Sequence, residues 1–159
     1  MKIFDFGLAK ELKDVDKDGN YNLNGYCGSP IYMAPEVIKS KPYNEKADVH
    51  SYAIMLWEMM ALKQPYDSTK MNLNLKSTLK LVVHKDYCPK PDKDWPQYLT
   101  KIIQNAWHPN ASKRLPFYQI KKNLHDCVMD LGKEGEDESF SLDKSTRLFK
   151  NFMEKSKKL

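Results

Sequence analysis

The stretch Glu45–Leu62, "EKADVHSYAIMLWEMMAL", decides the architecture. Wound as a helix, it places Ala47, Val49, Tyr52, Ala53, Ile54, Met55, Leu56, Trp57, Met59 and Met60 on nearly every face. A helix that is apolar all round belongs in the middle of a domain, packed on several sides. Its most apolar part, Tyr52–Leu62, is eleven residues long and contains Glu58, which is too short to span a bilayer. The reading is therefore a mainly α fold arranged about one central buried helix.

The flanking sequence supports this. "APEVIKS" (34–40) can form a short helix, and "STKMNLNLKSTLKLVVHKD" (68–86) holds another. "YCPKPDKDWP" (87–96) is a proline-rich connection. "PQYLTKIIQNAW" (96–107) spaces Leu99, Ile102, Ile103 and Trp107 at helical intervals behind Pro96. "HPNASKR" (108–114) is a turn, and "PFYQIKKNLHDCVMDL" (116–131) repeats the helical pattern, with Gly132 expected to end it. Before the central helix, "KIF" (2–4) is strand-like and residues 10–32 form a long loop broken by Gly19, Gly25, Gly28 and Pro30. A loop of that length inside a domain is usually functional.

The 159 residues allow one domain with one core. An apolar fraction of 41% and a formal charge of +5 describe a globular chain and give no reason to invoke nucleic acid. Cys27, Cys88 and Cys127 are far apart and odd in number, which reads as reduced thiols in a cytosolic or nuclear compartment, the cytoplasm being the setting expected. The N-terminus lacks the apolar run of a signal peptide, and no segment reads as a membrane span.

Within the loop, "DVDKDGNYNLNG" (14–25) begins like an EF-hand: Asp14, Asp16 and Asp18 at positions one, three and five, and Gly19 at six. Position twelve, which needs a bidentate glutamate, is Gly25. The same residues favour turns for local reasons, and a solvated turn is the better reading.

The ends of the loop carry more information. Asp5-Phe6-Gly7 opens it and Ala34-Pro35-Glu36 closes it. Together with "GSPIYMAPEV", "YNEKADVHSYAIMLWEM" and "AWHPNASKRLPF", in that order, these motifs resemble the eukaryotic protein kinase family from its Asp-Phe-Gly motif onward. The resemblance covers about residues 2–131. It implies a partial kinase domain over 1–131, with the activation segment at 5–36 and a helical C-lobe at 37–131, followed by a charged linker and basic tail at 132–159. "GSPIYMAPE" is similar to the serine/threonine pattern, and the whole looks most like the tyrosine-kinase-like group of serine/threonine kinases. Ala53, Ala106 and Leu115 depart from the group's usual glycine, cysteine and proline.

The resemblance also implies roles. Asp5 would bind the Mg²⁺ that bridges ATP phosphates, Phe6 would pack into the core, and Gly7 would let the backbone turn. Ser29, Pro30 and Tyr32 would face the protein substrate. Glu36 and Arg114 would form a structural ion pair, and Asp48 would accept backbone N–H groups from the catalytic loop. Tyr21, Tyr26 and Ser29 are candidate phosphorylation sites. The tail "STRLFKNFMEKSKKL" (145–159) is basic and amphipathic, and could meet calmodulin or an anionic membrane, or dock on its own domain.

The family's Gly-rich loop, strand lysine and His-Arg-Asp-x-x-x-x-Asn loop are not among the 159 residues. The expectation is therefore a kinase C-lobe without its N-lobe, inactive alone, with an apolar face open to a partner. The alternative is a non-catalytic, truncated kinase-like interaction module.

Overall fold

The computed structural model describes residues 5–13, 15–21, 23, 28–66 and 75–134. The expectations for the strand at 2–4, Tyr26, Cys27 and the tail fall outside them. Among the described residues the regular structure is helical: α1 Pro35–Ile38, α2 Lys46–Ala61, α3 Leu75–Lys85, α4 Gln97–Ala106 and α5 Phe117–Glu134, with a 3₁₀ turn at Ala111–Lys113 before α5.

Each start has a local cause. Pro35 opens α1, where a missing N–H costs nothing. Asn44 Oδ1 accepts the Lys46 N–H at 3.0 Å, satisfying a donor that α2 leaves free. Pro96 and Pro116 directly precede α4 and α5. α2 stops where Leu62 turns left-handed (φ 51°) and donates its N–H to the Glu58 carbonyl at 2.9 Å. α5 continues two residues past Gly132, the expected stop. A glycine inside a helix costs about 1 kcal/mol relative to alanine, which the rest of the helix absorbs.

α2 lies against α4, α4 against α5, and α1 against α3. From Val49 to Ala61 no residue of α2 is exposed. Val49, Ala53, Ile54, Leu56, Trp57 and Met60 form one core with Leu99, Ile102 and Ile103 of α4 and Ile120, Leu124 and Cys127 of α5. Burying each such aliphatic side chain contributes about 1.5–3 kcal/mol. A smaller apolar cluster joins Met33, Ala34 and Val37 to Ala47 at the start of α2.

The loop ahead of α1 has a tight turn in its middle. Asp16 Oδ1 accepts the N–H groups of Asp18 (2.9 Å) and Asn20 (2.8 Å), and Gly19 takes the left-handed φ of 76° that the turn requires. One carboxylate is thus spent on backbone donors. Tyr21 then bridges to Tyr43, N–H to carbonyl at 3.0 Å, which ties the loop to the entry of α2.

Candidate functional site

Most of the candidate residues meet α2: Tyr32 and Asp48 line one cleft against it, and Arg114 bonds its first turn. Asp5 adopts a left-handed backbone (φ 63°), which aspartate tolerates better than most residues, and its Oδ1 accepts the Gly7 N–H at 3.2 Å. A Cβ on Gly7 would lie 3.2 Å from that same oxygen, so any larger residue crowds the carboxylate. Mg²⁺ uses one or two carboxylates and takes its other oxygens from phosphates and water, so Asp5 fits as one ligand of such a site. Among the described residues no group of three or more His, Cys, Asp or Glu side chains could hold a metal by itself.

Phe6 does not pack into the core: it is 70% exposed. The described core lies around α2, α4 and α5, and none of it reaches over Phe6. Leu8, Leu12 and Val15, which follow it in sequence, are exposed as well.

A cleft of about 270 Å³ lies between this segment, α1 and α2, and brings Leu8, Ser29, Tyr32, Val37, Asp48 and Ser51 together. Ser29 is exposed, and its carbonyl accepts the Tyr32 N–H at 3.1 Å. Pro30 is half-buried, and its carbonyl takes the Met33 N–H at 3.3 Å. Tyr32 is tied to α2 twice. Its hydroxyl donates to Glu58 Oε2 at 2.6 Å, and its carbonyl accepts the Ser51 hydroxyl at 2.8 Å. The Glu58 hydrogen bond, then burial and the Glu58 charge, push the Tyr32 phenol up to about 12, so it stays a donor.

Asp48 was expected to be a buried carboxylate. It is exposed, at the first turn of α2, and lines the cleft. Partial desolvation and the neighbouring Glu45 charge raise its pKa. Among the described residues no hydrogen bond reaches its carboxylate.

Glu36 and Arg114 are joined bidentately: Nη1 to Oε1 at 2.6 Å and Nη2 to Oε2 at 2.8 Å. Arg114 is 2% exposed and uses every donor of its fork. Nε reaches the His108 carbonyl (2.7 Å), Nη1 the Lys46 carbonyl (2.8 Å) and Nη2 the Pro109 carbonyl (3.4 Å). Lys46 Nζ returns a hydrogen bond to the Arg114 carbonyl at 2.8 Å. Burial alone would push Glu36 up, but the Arg114 hydrogen bonds and charge bring its pKa below the ordinary value.

Sequence reasoning missed three participants. Ser51 and Glu58 hold Tyr32, and His50, only 1% exposed, lies close enough to feel the charges of Arg114 and Glu36. Neither ring nitrogen of His50 has a hydrogen-bond partner among the described residues. The one sequence signal was position: of its four neighbours one turn away, Ala47, Ala53 and Ile54 are apolar and only Lys46 is charged.

This arrangement has relatives. The family model described as "Protein kinase domain" matches residues 1–125. The dual specificity protein kinase shkB of Dictyostelium discoideum is 36% identical over 122 residues, 77% of this chain and 18% of that protein. The serine/threonine-protein kinase STY46 of Arabidopsis thaliana is 33% identical over 142 residues, 89% of this chain and 23% of that protein. The human serine/threonine-protein kinase Nek10 is 33% identical over 127 residues, 80% of this chain and 10% of that protein. The chain thus spans less than a quarter of the length of these curated relatives. A family match over most of the chain, on a helical lobe in which Glu36 is clamped by the distant Arg114, makes this chain a member of the protein kinase domain family.

Proposed function

We propose that the chain is the C-terminal part of a serine/threonine protein kinase. When completed by an N-lobe and catalytic loop, it would transfer phosphate from ATP to protein hydroxyls. The observation that supports this best is the Glu36–Arg114 clamp, which braces the activation segment against the base of α2 as a substrate platform needs. The sequence looks most like the tyrosine-kinase-like group, and the setting we favour is cytoplasmic.

In the completed enzyme Asp5 would hold Mg²⁺, which neutralises charge on the transferring phosphoryl group. Gly7 keeps the Asp5 carboxylate uncrowded. Phe6 would be covered by the N-lobe side. Ser29, Pro30 and Tyr32 would form the floor for the protein substrate, fixed by Ser51 and Glu58. Asp48 would take backbone donors from the catalytic loop. Tyr21, Tyr26 and Ser29 remain candidate phosphorylation sites.

Phosphoryl transfer rests on positioning and electrostatics supplied by several parts, of which these residues hold one metal-binding carboxylate. Residues 1–159 alone should therefore show no transfer from radiolabelled ATP in a single-turnover assay. The 5′ end of the native transcript tests the larger reading. The frame should continue upstream into a lysine-bearing strand and a His-Arg-Asp-x-x-x-x-Asn loop. The protein so completed should phosphorylate protein substrate and lose at least about 100-fold in rate on Asp5→Asn. A transcript that begins at Met1, or transfer by residues 1–159, would refute it. The exposed run Phe6, Leu8, Leu12 and Val15 favours one second reading, a non-catalytic module whose partner covers that face.

A further inference from the structure

The far end of α2 opens onto a second, larger groove of about 520 Å³. Trp57, Trp95, Leu62, Lys63, Lys90 and Lys93 are among the residues that line it. The catalytic reading uses none of these residues. Trp57 is about 13 Å along the helix from Asp48, so the groove is separate from the cleft over Ser29 and Tyr32.

The groove is held in shape. Trp57 Nε1 donates to the Lys90 carbonyl at 3.0 Å, which fixes the proline-rich connection against α2. The two indole rings pack with centroids 6.2 Å apart. Leu62 is locked left-handed by its N–H to the Glu58 carbonyl, and its side chain is 63% exposed. The lining holds three lysines and a single carboxylate, Asp92, whose Oδ1 already accepts the Asp94 N–H at 3.1 Å. Among the described residues none of the three lysines forms an ion pair. A lining of an exposed leucine, unpaired lysines and a braced tryptophan complements one kind of ligand: a chain segment with an apolar side chain set among carboxylates.

We propose that this groove docks an acidic peptide segment of a partner protein, with an apolar side chain on Leu62 and carboxylates on Lys63, Lys90 and Lys93. Such a contact recruits a partner or substrate away from the phosphate-transfer face.

A fluorescein-labelled synthetic peptide of glutamate pairs separated by leucines, titrated into the 159-residue chain and followed by anisotropy, tests this. Saturable one-to-one binding is expected, weakened at least tenfold by Lys63→Glu, Lys90→Glu and Lys93→Glu together. It should also weaken with Leu62→Ser, and with serine in place of the peptide leucines. The milder Lys→Gln set, with helix content checked by circular dichroism, separates lost contacts from lost folding. Affinity unchanged by the lysine substitutions overturns the proposal. So does affinity indifferent to both leucine changes, which would leave only a charged surface. Binding that emerges only after Glu134, Glu136, Asp137 and Glu138 are made glutamine also overturns it, by assigning the groove to the chain's own acidic stretch.

Discussion

His50 is a neutral imidazole sealed into the base of α2, with both nitrogens lacking partners among the described residues. Burial, and then the Arg114 charge, push its pKa down to about 4; Glu36 and the nearby Tyr32 carbonyl oppose this without overcoming it. In the unfolded chain it takes up a proton near its ordinary pKa of 6.5. The folded state is therefore favoured fully above pH 6.5 and loses this advantage as pH falls toward 4, by about 3 kcal/mol in all. Glu36, with its pKa lowered, loses its own contribution only further down, below its ordinary 4.5. Urea midpoints measured from pH 7 to pH 4.5 should fall steeply in the parent and much less in His50→Leu; equal slopes would refute the assignment. Nothing in the sequence marked this residue except its register, because an unsatisfied nitrogen is a property of surroundings. Tyr32 and Glu58, separated by 26 positions, were illegible for the same reason. Asp5 and Gly7 were singled out by the family's motif, and the contact between them is local, the Gly7 N–H reaching Asp5 Oδ1 two positions away.

Between elements, Arg114 does what packing alone does not. One guanidinium joins α1 through Glu36, α2 through the Lys46 carbonyl, and the turn before α5 through His108 and Pro109. Arg114→Ala leaves Glu36 half-desolvated with no counter-charge, and should cost about 3–5 kcal/mol in urea unfolding. Arg114→Lys keeps the charge but loses the planar fork, and should recover only part of that. Glu36→Gln with Arg114→Ala should cost less than the two single changes summed, since they remove one interaction. The pairing was read from the family's motif order across 78 positions. No periodicity could have supplied it. The helices, by contrast, were legible from periodicity and proline placement: α2 and α4 start and stop within a residue of the expected limits. The end of α5 was not, because a single glycine is a weak stop when the flanking sequence still favours helix.

At the scale of the whole molecule, the fold class followed from one segment, since a helix apolar on all sides leaves its neighbours no other arrangement. What the segment could not disclose is which surfaces stay open. Phe6, Leu8, Leu12 and Val15 lie bare ahead of α1, and Leu62 at the C-terminal end of α2. Both are set by tertiary placement, and alternation or spacing does not record it. The enclosure of α2 reaches into the time domain as well. With no exposed residue from Val49 to Ala61, its amide protons have no local route to solvent. In deuterated buffer they should be the last to exchange, at rates set by global unfolding alone. The amides of Gly7 and Asp18, bonded only to exposed carboxylates, should be lost early. The central helix is thus a clock for the whole lobe. A substitution that slows or hastens its deuteration has altered the stability of the entire domain.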